Sequence, residues 1–408
     1  MKEAFRKEGH ILVCFPFFNK DARSDGSAVA GLPALLHKET PDIVFSFNYF
    51  PIVSNVCKQE NIRYISWIYD SPYVMLYSYT AINPCNTIYV FDKEVYLEFH
   101  KAGISTVHYL PMAANVERLD TLLPDAAHYA DTSHTNTNRL KNQRFFNREF
   151  VPAAQSSQVE KKGMVISMDN RSFLYDISFI GSLYTEKHNF FERMTGLSDY
   201  TKGYLDALMS AQMNVHGYNF IQESLSPIME DLYHALPMEP NPDGVETKEY
   251  LYAQYVINRK ITGLERYDLI QAIAGKHSFD LFTHDKNFRL PGLINHGSVD
   301  NYREMPLVFK QSRINLNISL RSIKSGIPQR AFDIMGSGGF LLSNYQNDFL
   351  DYFIPGEDFD FYESKSDLLN KIDYYLANEA ERLLIAQNGH DKIAAAHTYR
   401  HRVREMLA

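Results

Sequence analysis

Arg313–Asn344 reads RINLNISLRSIKSGIPQRAFDIMGSGGFLLSN. Three cations, Arg321, Lys324 and Arg330, fall within ten residues, around Gly326 and Pro328. An apolar run, Ile314–Ile318, leads into this basic loop, and a helical pattern follows over Pro328–Met335. Proline suits a first helical position, where its missing N–H costs nothing. Strand, basic glycine-containing loop and helix N-terminus together make a phosphate site, because unsatisfied N–H groups and the helix dipole favour an anion and arginine adds bidentate charge. Three cations suit a diphosphate held without a metal. Asp333 stands three residues beyond Arg330, on the same helix face, and offers a carboxylate to ribose hydroxyls. Gly336, Gly338 and Gly339 close the helix and let backbones approach. A solvated basic loop before an ordinary helix has the same composition, so composition leaves both readings open.

Asp70 is a second candidate, in Tyr69-Asp70-Ser71-Pro72 at the end of the apolar run Tyr64–Ile68. Strand C-termini line the crevice of a doubly wound sheet. A carboxylate there can take a proton from an acceptor hydroxyl; an Asp before Ser-Pro also caps turns. Asn48 and Tyr49 follow the neighbouring strand, Asp42–Phe47, and are expected on the same cleft. Gly181-Ser182 ends the strand Ile177–Ile180 in a tight turn. The side chain of His296, in His296-Gly297-Ser298-Val299, is expected on a surface loop. Asp358-Phe359-Asp360 has the D-x-D spacing of a metal site but sits in an acidic loop and is read as surface; no metal is expected. The histidines show no H-E-x-x-H, Ser182 lacks a G-x-S-x-G context, and Gly336-Ser337-Gly338 lies at a helix end rather than after a strand.

The elements that must position these groups alternate. Helical patterns at Met1–Glu8, Ala28–His37, Ile52–Glu60 and Lys93–Ala102 interleave with strands at Ile11–Phe15, Asp42–Phe47, Tyr64–Ile68, Thr87–Phe91 and Thr106–Leu110. Such alternation means βαβ units and parallel sheets. Residues 117–172 are polar and aperiodic and read as a linker or insertion. From Tyr175 the alternation resumes, with strands at Ile177–Ile180, Phe279–Thr283, Ile314–Ile318 and Phe340–Ser343, a largely helical stretch over 186–275, a helix at Tyr302–Lys310 and two long helices over Lys365–His397. This gives three segments: 1–116, 117–172 and 173–408. The expected fold class is α/β, two Rossmann-like domains with parallel sheets facing a cleft.

The chain has 408 residues and a formal net charge of −8, a poor balance for a non-specific nucleic-acid binder, whose affinity comes from neutralising phosphates. Aromatic residues make up 13%, too many for a disordered chain. Cys14, Cys57 and Cys85 are few, odd in number and without C-x-x-C, which argues against a disulfide framework. Met1–Gly9 is charged and lacks the apolar core of a secretory leader, and no apolar run is long enough to span a bilayer. The expectation is a cytoplasmic protein.

Gly326-Ile327-Pro328-Gln329-Arg330, followed by Phe332-Asp333 and Gly338-Gly339-Phe340, resembles the nucleotide-binding signature of GT-B glycosyltransferases. With Asn48-Tyr49, Trp67–Pro72, Ile177–Tyr184, Asn388-Gly389 and His397-Thr398-Tyr399 in this order, the chain is similar to the CgeB-like (spore-maturation) glycosyltransferases over 1–115 and 175–408. It departs from the family in opening on a helix, in carrying Asp333 where glutamate is common, and in lacking an E-x7-E pair. The resemblance implies a GT-B fold, an acceptor-side first domain and a second domain that binds a nucleotide-diphosphate sugar. It implies that Gly181-Ser182, Arg321, Lys324, Gly326, Pro328, Arg330, Asp333, Gly338 and Gly339 contact the donor, and that His296–Val299 holds the base through its backbone. Asp70 would be the base for the acceptor hydroxyl. The partners implied are the nucleotide sugar and an acceptor, which is left open as glycan, protein or small molecule; no cofactor, nucleic acid or transmembrane segment is expected. A non-catalytic nucleotide- or glycan-binding relative and a sugar-nucleotide epimerase remain as alternatives.

Overall fold

The computed structural model describes residues 1–16, 23, 26–122, 159–161, 164–166, 173–185 and 189–408. Helix α1 (Lys2–Lys7) opens the chain, and four strands then form a parallel sheet in sequence order: β1 Ile43–Phe47, β2 Arg63–Trp67, β3 Asn86–Val90 and β4 Val107–Tyr109. Ile43 pairs with Arg63, Tyr64 with Asn86, and Ile88 with Val107. Helix α2 (Leu32–Glu39) precedes β1; α3 (Pro51–Gln59) and α4 (Lys93–Lys101) make the crossovers from β1 to β2 and from β3 to β4, and two short 3-10 turns, Val74–Tyr77 and Tyr79–Ile82, lie in the crossover from β2 to β3. In β2 the consecutive residues Tyr64, Ile65, Ser66 and Trp67 are all buried, as in a sheet covered on both faces. In α3, Ile52, Val53, Val56 and Cys57 repeat at helical spacing and form the buried stripe.

The expected strand at Ile11–Phe15 does not form. Ile11 is 96% exposed, and among the described residues β1 ladders only to β2. Without a ladder partner an extended run gains no backbone hydrogen bonds from pairing.

The helix α5 (Val116–Thr121) ends the first part. The polar insertion expected over 117–172 lies outside the described residues, apart from that helix, Leu122 and a short antiparallel pair, Val159–Lys161 with Met164–Ile166.

The second sheet holds β5 Tyr175–Ile180, β6 Phe279–Phe282, β7 Leu293–Asn295, β8 Ser312–Asn317, β9 Leu341–Asn344 and β10 Asp360–Tyr362. Their order is β10-β9-β8-β5-β6-β7, all parallel. The chain builds outward from β5 through β6 to β7, then returns to β8 on the other side of β5. The topological switch point therefore falls between β5 and β8, and ligands of doubly wound sheets bind outside the carboxyl ends of such strands.

Between β5 and β6 run α6 (Asp199–Met213), α7 (Met229–Ala235) and a long helix α8. The last is built from Lys248–Leu251, a π-turn Tyr252–Ile257 and Asn258–Ala274. Tyr250 and Leu251 of α8 pack in the core of the first sheet, while Leu269, Ile270 and Ile273 pack under the second. Helices α9 (Met305–Gln311), α10 (Gln329–Gly336), α11 (Phe349–Tyr352), α12 (Lys365–Ala377), α13 (Glu379–Ala396) and α14 (Tyr399–Leu407) complete the fold. Helix α14 returns to the first domain: Val403 packs on Ala4 and Phe5, and Arg402 donates to the carbonyls of Pro111 and Met112. Both α8 and α14 thus cross the boundary expected near 116–173. Among the described residues no helix is long and apolar enough to cross a membrane.

Candidate active site

Arg330 sits in the first turn of α10, and its Nη1 donates to Asn317 Oδ1 at 2.9 Å. Asn317 is the last residue of β8, so the bond ties the guanidinium to the switch point. The same guanidinium lies 5.0 Å from the ring centre of Phe179 in β5. Arg266 of α8 lies 5.1 Å from that ring, donating to the carbonyls of Ser182 and Ile318. Two cations thus flank one aromatic ring where β5 and β8 end. Burial and then the charge of Arg266 push Arg330 down to about 9, and burial likewise lowers Arg266. Asp333 acts on Arg330 through space, without a hydrogen bond to it. Two desolvated guanidiniums of like charge define a place where an anion gains strongly. The N–H groups of Gln329 and Arg330 add to it, being too early in α10 for an intrahelical acceptor, while that of Ala331 donates to the Pro328 carbonyl at 2.9 Å.

Asp333 lies one turn beyond Arg330. Gln329 Nε2 donates to Asp333 Oδ1 at 2.9 Å and to the carbonyl of Ala113 in the first domain at 2.9 Å. Burial raises the Asp333 carboxyl to about 7, against the opposing pull of Gln329, Arg118 and Arg330. Tyr69, at the end of β2, stands within electrostatic reach of Asp333, Tyr399, Asp70 and Arg330. The first domain therefore presents its strand ends to the switch point of the second.

Asp70 is exposed on that facing edge. Asn48 brackets it: Asn48 Oδ1 accepts from the N–H of Tyr69 at 2.8 Å and of Asp70 at 3.2 Å, and Nδ2 donates to Asp70 Oδ2 at 2.8 Å. Asn48 has a φ of 59°, a left-handed conformation that asparagine tolerates better than most residues. These bonds hold Asp70, which lines a small pocket with Ser71, Tyr73, Asp92, Gln254, Ser322 and Lys324. Tyr49 does not line the cleft. It is fully buried, stacks on Tyr64 and donates to Thr80 Oγ1 at 2.7 Å. The turn after β1 sends its ring into the core.

The three cations of the basic loop do not converge. Arg321 is buried in an ion pair with Glu265, its Nε donating to Oε2 at 2.6 Å, and also donates to the carbonyls of Val215 and Met213. Lys324 Nζ is bonded to Glu98 Oε2 at 2.8 Å, and its N–H donates to Asp92 Oδ2 at 2.6 Å. Asp92 also caps α4 and accepts from Ser325, so one carboxylate joins the loop to the first domain. Gly326 serves this contact: a Cβ there would lie 2.9 Å from the Cα of Asp92. Pro328 is the N-cap of α10 rather than its first helical residue, so helical geometry starts at Gln329, one residue later than expected.

Gly181 meets Arg330 directly, since a Cβ there would lie 2.9 Å from Arg330 Nη2. Ser182 Oγ accepts from the N–H of Tyr184 at 3.1 Å. Gly338 and Gly339 lie at the far end of α10 from Arg330; Gly338 has a φ of +73° and Gly339 packs against Asn315 and the carbonyl of Phe309. They close the helix onto the core and do not meet Arg330.

His296 is not a loose surface residue. It stacks on Phe282 with ring centres 4.5 Å apart and bonds to the buried Asp280 at 2.8 Å. Asp358 and Asp360 are buried rather than on the surface. Each is bonded to a lysine, Lys392 at 2.6 Å and Lys371 at 2.9 Å. Among the described residues no group of three or more His, Cys, Asp or Glu side chains has the geometry to hold a metal ion.

Sequence reasoning missed Arg266, Phe179, Tyr69 and Asn317 as site residues. Asn317 carried a signal, because Asn315 and Asn317 interrupt an otherwise apolar buried strand, and buried polar groups there must have partners. Arg266 and Phe179 carried none, since each fits the core pattern of its own element.

Residues 265–408 match the family described as "Glycosyl transferase-like". They therefore carry a glycosyltransferase-like domain. No curated protein matches the chain. Among solved structures, a glycosyltransferase from Rickettsia africae is 12% identical, with a TM-score of 0.42, over 100% of this chain and 86% of that one. HepE of Anabaena, solved with UDP-glucose, is 10% identical, with a TM-score of 0.46, over 100% and 88%. A sucrose-phosphate synthase from Thermosynechococcus elongatus is 10% identical, with a TM-score of 0.44, over 96% and 79%.

Proposed function

We propose that the protein is a glycosyltransferase of the CgeB-like kind that takes a sugar from a nucleotide-diphosphate donor to an acceptor hydroxyl. The observation that carries this reading is Arg330, held by Asn317 at the switch point beside Arg266, with Asp333 one turn on. A diphosphate placed over the N-terminus of α10 meets Arg330 and the helix N–H groups. The ribose then falls to Asp333. As the bond to the anomeric carbon breaks, negative charge grows on the leaving nucleoside diphosphate. Preorganised cations stabilise that charge most in a site shielded from water. Arg330 and Arg266 supply the countercharge, so the reading asks for no metal. Asp70, oriented by Asn48, takes the proton of the incoming hydroxyl.

A second reading draws on the interface. Lys324–Glu98 and the bonds of Asp92 to Lys324 and Ser325 already tie the loop across the domains. A protein that binds nucleotide or glycan without transfer would use the same contacts.

The test is a thermal-shift panel of nucleoside diphosphates and their sugars, run in EDTA. At least one nucleoside diphosphate raises the melting temperature, and its nucleoside alone does so less. A shift that requires added manganese or magnesium refutes the metal-free arrangement.

A further inference from the structure

A groove of about 780 Å³ opens between α4 of the first domain and the segments around Gly217–Ser226 and Thr247–Glu249. This is within the roughly 300–1,000 Å³ typical of small-ligand sites. It is distinct from the small pocket at Asp70, yet the two share Gln254 and Lys324. Gln254 lies on the π-turn of α8, and such turns recur at functional sites. Gln254 is only 3% exposed. Its Oε1 accepts from Asn258 and its carbonyl accepts from Ser322, but no described residue accepts from Nε2. Nε2 is not sealed from solvent, so water or a ligand in the groove can accept from it.

The walls of the groove point to one ligand chemistry. The ring of Tyr218 is 58% exposed, a flat apolar face beside Glu223, to which its hydroxyl donates at 2.6 Å. Glu94, Glu98, Glu223 and Glu249 stand against Lys101 and Lys324, and Glu98 already neutralises Lys324. An aromatic face among carboxylates and amides suits the apolar and hydroxyl faces of sugars. The excess of carboxylates rejects an anionic chain and favours amino groups.

We propose that this groove binds the acceptor, a saccharide chain that is neutral or bears amines, and that Gln254 Nε2 positions the chain where it passes to Asp70. The proposal rests on the glycosyl-transfer reading above. Titration calorimetry tests it with three probes: a β-1,4-linked glucosamine trimer, its fully N-acetylated form and trigalacturonate. The amine trimer is expected to bind the wild type best and trigalacturonate worst. Tyr218→Ala, at an exposed position, and the near-isosteric Gln254→Met are each expected to weaken the amine trimer at least tenfold. Both are expected to keep the wild-type thermal shift with nucleoside diphosphate. Equal binding by wild type and both variants, tighter binding of trigalacturonate, or no binding of any probe overturns the proposal. Trimer binding without any nucleotide binding instead refutes the transferase reading and leaves the groove assignment standing.

Discussion

Arg330→Ala separates a ligand-binding guanidinium from a structural one. Arg330 makes one hydrogen bond, to Asn317, and stands beside Arg266 rather than in an ion pair. Its removal relieves like-charge repulsion but leaves the buried Asn317 Oδ1 without its donor; the two effects oppose, so the ligand-free melting temperature should shift only modestly. Binding should suffer instead. A hydrogen bond to a charged group contributes about 1.5–3 kcal/mol. At about 1.4 kcal/mol per decade, that is roughly a 10- to 150-fold rise in Kd. The thermal readout follows from linkage. At a nucleotide concentration of 100 Kd the wild type gains about 2.7 kcal/mol, whereas a 30-fold weaker variant at the same concentration gains about 0.9 kcal/mol. Calorimetry with a nucleoside diphosphate and melting curves with and without it measure both quantities. A variant that melts much lower without ligand, yet binds like wild type, would refute the assignment of Arg330 to the diphosphate.

Asp333 and Asp348 give stability a pH dependence of known sign. Burial raises them to about 7 and about 6, so the fold favours their protonated forms and stability falls as pH rises from about 4 through these values. Buried His216 and His397, held down to about 4 and about 3, push the other way over much of this window, so the fall is read as the difference in urea midpoint between wild type and Asp333→Asn or Asp348→Asn; a difference that does not change with pH contradicts the burial argument. Arg321→Ala leaves Glu265 buried without its cation and should cost about 3–5 kcal/mol in urea unfolding; a stable variant with impaired nucleotide binding would return Arg321 to the donor site. Asp70→Asn should slow transfer by about 10²–10⁴-fold with nucleotide affinity retained, and an unchanged rate would make Asp70 a turn residue.

Most elements of both sheets were legible in the sequence, because buried parallel strands read as short apolar runs such as Ile314–Ile318 between helices. The segment Gly326–Asp333 does lead from a strand end into a helix start, the context its composition suggested. What the sequence did not carry was partnership. Arg321 and Lys324 look like Arg330 as residue types, but Glu265 and Glu98, distant in sequence, claim the first two. Arg266 reaches the site from α8 through tertiary packing alone. Tyr49 and Asn48 are adjacent, yet the left-handed backbone at Asn48 sends one side chain to the cleft edge and the other to the core. Ile11–Phe15 has a strand's composition but no ladder partner among the described residues.

The most direct test of glycosyl transfer is release of nucleoside diphosphate from a panel of nucleotide sugars in EDTA, followed by chromatography. Transfer at this site predicts slow hydrolysis of at least one donor without acceptor, faster release when an acceptor is present, and loss of both in Arg330→Ala. A protein that binds a nucleotide sugar tightly but releases no nucleoside diphosphate from any donor, with any acceptor, would contradict it and make this a binding protein.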